Sequence, residues 1–227
     1  MAYQEPSPVN PVPPPVLALA AIIIGVEIVF WLASRGVLGG QAGIGWRVAA
    51  FEDYAFAPRL LAFMADNGAW SVDGLKRFVT YAFVNQGFVS AVFGCVFILA
   101  LGKFIGDLVG GARVIVIFVL SAIGAALLYG VLAPNQPPLI GTFPGAYGLI
   151  GGYTYILFAS ADRANANRLQ AFRLVGLLAG LQLVFGVLFP GPPYWLADLG
   201  GALVGLLVAA GMNPGGLTRI VTLLRRR

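Results

Sequence analysis

Residues Leu139–Tyr153 read LIGTFPGAYGLIGGY, and the reading of this stretch decides the fold. Its glycines have the cadence of a membrane helix: Gly148, Gly151 and Gly152 mark a face on which a second helix can approach closely, because small residues let backbones meet. A helix is expected over Gly145–Ala161. The composition around it agrees. Of 227 residues 59% are hydrophobic and only 10% charged, and mean hydropathy is +0.87; a soluble domain is roughly 45–50% apolar and about 25% charged. The chain reads as an all-α polytopic membrane protein.

An apolar run of about twenty residues crosses a hydrocarbon layer of about 30 Å as a helix. Six such runs are found: Pro15–Ser34, Val79–Leu101, Val114–Leu132, Gly145–Ala161, Ala171–Phe189 and Tyr194–Met212. They divide the chain into a proline-rich arm (1–14), a six-helix membrane domain (15–212) and a basic tail (213–227). The arm, MAYQEPSPVNPVPP, lacks a basic n-region and is expected to be extended rather than a cleavable signal. Four connections are short. The first, Arg35–Phe78, is long and amphipathic, and its Trp46 and Trp70 suit a segment lying at the headgroups.

Charge sets the expected orientation. Of the fourteen Lys and Arg, five lie in the long first connection. The others fall in the second connection (Lys103, Arg113), the fourth (Arg163, Arg168, Arg173) and the tail (Arg219, Arg225, Arg226, Arg227). The third and fifth connections, APNQPP and PGPP, carry none. For short loops that asymmetry predicts both termini in the cytoplasm and the long loop outside; the Ala, Gly and Val content suggests a bacterial inner membrane. These cations serve as topology signals, so no nucleic-acid partner is expected. The tail TRIVTLLRRR suits anchorage to the anionic surface of the lipid bilayer.

There is no histidine, and Cys95 is the single cysteine. An intramolecular disulfide, a cysteine metal cluster and His-ligated haem are therefore excluded, and no metal or cofactor is expected.

In their order, several features resemble the rhomboid intramembrane proteases. These are six helices, a large amphipathic first loop, an Arg before TYAFV, and a glycine-rich fourth helix, with likeness from LKRFVTYAFVNQGFVSAVFG (Leu75–Gly94) through ADLGGALVGLLVAAG (Ala197–Gly211), about two-thirds of the chain. The resemblance implies a serine in a Gly-x-Ser-Gly turn at the outer end of the fourth helix. It also implies a histidine on the sixth to take the serine's proton, and oxyanion donors on the second helix. On this chain Phe143 falls at the serine position, or Pro144 if the alignment slides by one, with Tyr147 one turn below. Asp198 falls at the histidine. In FVNQGFVSAVFG, the positions of the family's FxHxxxxHxxxN polar groups hold Asn85, Ser90 and Gly94. Nucleophile, base and oxyanion donors are all altered, and each donor alone contributes roughly 2.7–4 kcal/mol.

The expectation is thus a catalytically inactive rhomboid-like protein, with Phe143 partly filling the former catalytic cavity. It would bind transmembrane helices of other integral membrane proteins, as an adaptor or as an accessory subunit of a larger assembly such as an energy-converting or quality-control complex. Gly201 and Gly205, in Gly-x-x-x-Gly spacing on the sixth helix, are expected to meet the fourth within the monomer, dimerisation being the alternative. Glu27 lies near the middle of the first helix, where a charge costs at least a few kcal/mol. It and Asp198 are expected to hydrogen-bond neighbouring helices or to recognise a polar group of a partner. Two further readings stay open: an atypical protease using Thr142 with Asp198 as base, or another serine, and a small transporter using Glu27 and Asp198.

Overall fold

The computed structural model describes residues 11–163, 173, 176–177, 180 and 192–213. Most of the expected fifth span, Ala171–Phe189, most of the arm and nearly all of the tail lie outside them. Among the described residues the chain is helical. Helices α1 (Pro14–Ser34), α6 (Phe88–Val109) and α7 (Gly111–Leu132) are long and apolar enough to cross a membrane. Helix α8 (Phe143–Arg163) is of similar length but diluted by glycine and tyrosine, and α9 (Trp195–Gly211) is a shorter apolar helix.

Local chemistry sets the limits of these helices. Prolines at the first positions of α1 need no N–H partner there and hold φ where a helix begins. Its end is turned by Gly36 at φ +71. Between α6 and α7 the turn is Gly110 at φ +94, a conformation that side-chain-bearing residues rarely adopt. The expected second connection, with Lys103 and Arg113, is thereby corrected: both helices run through it, and Lys103 pairs with Asp107 inside α6 at 3.5 Å.

The long first connection folds into four short helices, α2 (Gly40–Gly43), α3 (Trp46–Tyr54), α4 (Pro58–Asn67) and α5 (Val72–Thr80), followed by a 3-10 turn at Tyr81–Phe83. Ser71 caps α5 by accepting from Gly74 N at 3.0 Å. Here a second correction applies. Helix α6 begins at Phe88, not Val79, because Tyr81–Asn85 turns its backbone sideways into tertiary hydrogen bonds. The first loop therefore extends nine residues further than its polarity suggests.

Helix α8 sits at the centre. From Gly145 to Tyr155 every residue but Tyr153 is buried, against α6, α7 and α9. Backbones touch where side chains are absent. A methyl added at Gly205 would overlap the Gly148 carbonyl, one at Gly201 the Pro144 carbonyl, and one at Gly151 the Ala202 carbonyl. Helix α8 thus packs against α9 within the monomer. Apolar packing between helices in lipid gains little from water exclusion, so such close approach is what holds them.

Candidate functional site

The N-terminal end of α8 is fixed by the segment before α6. Gly141 N donates to Tyr81 O at 3.0 Å. Next to it, Thr142 N donates to Asn85 Oδ1 at 3.1 Å and Thr142 Oγ1 to Ala82 O at 2.9 Å. Thr142 and Asn85 are both fully buried. Opposite them Gly94 leaves the room Thr142 needs: a Cβ at Gly94 would stand 3.0 Å from Thr142 Cβ. Tyr81 closes the group from below, its hydroxyl donating to Ala122 O at 2.8 Å.

Three of the positions singled out by sequence, Asn85, Gly94 and Thr142, therefore meet in one buried knot. Asn85 lies before α6 rather than on it. Phe143, the first residue of α8, is half-buried and packs on the core. Ser90 is half-buried in the first turn of α6. Asp198 is half-buried in the first turn of α9. Gly201 and Gly205 are spent on the α8 contact.

A cleft of about 610 Å³ opens beside the knot, lined among others by Phe51, Glu52, Arg77, Gln86, Ile140 and Tyr194. Phe143 is not among its lining residues. One wall is tied by an antiparallel backbone pair, Phe56 N to Leu139 O at 3.0 Å and Leu139 N to Phe56 O at 2.8 Å. Arg77 braces another, donating to Glu52 O at 2.6 Å and Ala55 O at 3.2 Å.

Glu27 is fully buried and has a partner that the sequence pattern did not identify. Arg47, from α3, donates to Oε1 at 2.6 Å and Oε2 at 3.0 Å, and to Asn85 O at 2.9 Å. A forked guanidinium on both carboxylate oxygens is the strong form of such a pair. The signal available in sequence was an arginine beside Trp46 in an amphipathic loop, with an unmatched carboxylate in the preceding span. Together these contacts form a polar chain from α1 through α3 to the start of α8: Glu27, Arg47, Asn85, Thr142.

The chemistry this arrangement offers is limited. The Thr142 hydroxyl is committed as a donor to a main-chain carbonyl and is sealed from solvent, and the residue after it is an aromatic hydrocarbon. No curated protein matches the chain. The Rhomboid domain family model, by contrast, matches residues 73–214, from α5 to just past α9 and well over half of the sequence. With a bundle centred on a glycine-rich α8 locked to α9, this match shows that the chain belongs to the rhomboid family.

Proposed function

We propose that this rhomboid-family membrane protein does not cut peptide bonds and instead binds transmembrane segments of other integral membrane proteins, as an adaptor or as an accessory subunit of a larger complex. In this reading α8, α9 and a fifth crossing at Ala171–Phe189 complete six spans, and both termini face the cytoplasm of a bacterial inner membrane. The observation that carries it is the state of Thr142. It is the hydroxyl-bearing residue adjoining Phe143, yet it is fully buried and donates to Ala82 O. Acyl transfer needs a nucleophile hydrogen-bonded to a base, and a carboxylate is a poor base for an unactivated hydroxyl. Recognition of partner helices would rest on side-by-side packing with a few buried hydrogen bonds. Both oxygens of the Glu27 carboxylate are engaged by Arg47, which argues against a proton relay through that residue.

The test has two arms. Purification of the tagged full chain from its native membrane in mild detergent is expected to bring down an integral membrane protein in fixed stoichiometry. A serine-reactive fluorophosphonate is expected to label wild type and Thr142→Ala equally, at background. Labelling that disappears in Thr142→Ala, or cleavage of a transmembrane reporter in proteoliposomes, would overturn the proposal.

A further inference from the structure

A second cavity lies on the flank of the bundle, its Phe83 and Val84 wall adjoining the Ala82 and Asn85 positions that hold Thr142. It is a groove of about 460 Å³ between α1, through Gly25, Val29 and Phe30, and the loop side, through Tyr54, Phe83 and Val84. Thr80 is also on its wall, and its hydroxyl is turned to Tyr54 O at 3.2 Å, so the surface offered is almost wholly hydrocarbon. Gly25 opens it: a Cβ there would find no atom within 4 Å. Because α1 is a membrane span, the groove lies at bilayer depth and faces acyl chains.

One end of the groove is charged. The Lys76 ammonium sits 5.2 Å from the ring of Tyr54, a groove residue. Lys76 and Arg77 share the single carboxylate of Asp73, so this trio carries an excess positive charge. The Lys76 and Asp73 side chains are both exposed, and an exposed pair of this kind holds its cation only weakly. A phosphate can therefore compete for it. The dimensions select the occupant. Along α1 the groove runs from Gly25 to Phe30, about 7.5 Å at 1.5 Å per residue, whereas a partner helix is about 10–12 Å across and packs over several turns. A flexible hydrocarbon chain fits so short a notch, and a helix does not.

The geometry points to a built phospholipid site, in which one acyl chain lies in the α1 groove beside Gly25 and an anionic headgroup is held at its rim by Lys76. The site is independent of whether the protein binds partner helices or cuts them. It would make a retained lipid part of the wall that α1 and the first loop present to the bilayer.

Native mass spectrometry of the full chain, released from nanodiscs of equal phosphatidylglycerol and phosphatidylcholine, tests this. Wild type is expected to keep one phospholipid after the bulk lipid is stripped, with phosphatidylglycerol enriched. Gly25→Leu, which fills the notch, should lower retention about tenfold, the loss expected from about two chain methylenes. Lys76→Gln should keep the lipid but lose the headgroup preference. Val29→Phe blocks the same groove from a lipid-facing position and serves if Gly25→Leu does not fold. Equal retention in wild type and a folded groove-filling variant, an unchanged headgroup preference in Lys76→Gln, or a polypeptide in place of the lipid would each refute the site.

Discussion

Replacing Arg47 by leucine should be the most damaging single change in the first loop, and the reason lies in what it strands. Glu27 is fully buried and takes both of its hydrogen bonds from Arg47. Removing one member of a buried ion pair leaves an uncompensated charge, at a cost of about 3–5 kcal/mol. Asn85 O loses a donor in the same step. Glu27→Leu should cost less, about 1–3 kcal/mol. The guanidinium it leaves behind is 23% exposed, keeps Asn85 O, and lies 5.3 Å from the Phe30 ring. The double variant Glu27→Leu/Arg47→Leu removes both charges and fills the space with hydrocarbon, and such replacements are often neutral. It should therefore be more stable than Arg47→Leu alone. With Asn85 O still left without its donor, at about 1–3 kcal/mol, the double effect falls short of the sum of the single effects by about 3–5 kcal/mol, a large coupling for residues in contact. Unfolding by sodium dodecyl sulfate in mixed micelles, followed by tryptophan fluorescence with Trp46 beside the substituted arginine, measures all four proteins. If Arg47→Leu lies within about 0.5 kcal/mol of wild type, or the two single effects simply add, the pair does not hold α3 to α1 and the reasoning fails.

Other substitutions probe the remaining contacts. Gly205→Val, which would drive a side chain into the Gly148 carbonyl, should destabilise by about 1–3 kcal/mol. Gly25→Ala, with open space around it, should be neutral or stabilising by up to about 1 kcal/mol; the same micelle titration compares them. Thr142→Val leaves Ala82 O without its donor and should cost about 1–3 kcal/mol, most of it restored in Thr142→Ser. The double substitution Phe143→Ser/Asp198→His should yield no cleavage of a transmembrane reporter, because Ser90 and Gly94 still stand where the family places oxyanion donors. Measurable turnover would mean that the frame needs fewer groups than argued.

The spans with unbroken apolar character were legible because hydropathy reports one-dimensional chemistry. Helices α1 and α7 begin within three residues of expectation, and the α8–α9 contact followed from glycine spacing alone. Val79–Val84 misled for the same reason. The run is mostly apolar, but the backbone carbonyls of Tyr81, Ala82 and the following Asn85 are claimed by Gly141, Thr142 and Arg47 from distant parts of the chain, and no local window contains those partners. Arg47 itself was hidden because nothing in a composition or a period pairs a loop arginine with a carboxylate twenty residues earlier. Thr142 was legible as a hydroxyl beside the critical position, yet its commitment to Ala82 could be seen only in three dimensions.

The single-residue turn at Gly110 has a consequence for how the protein is made. With one glycine between two apolar helices of 22 residues each, there is no hydrophilic loop to be exported or retained between them. The translocation machinery should release α6 and α7 into lipid together as a preformed hairpin. A polar tag inserted at that glycine would force the two to be threaded separately, and the cell would read the result as a failure of biogenesis rather than of activity.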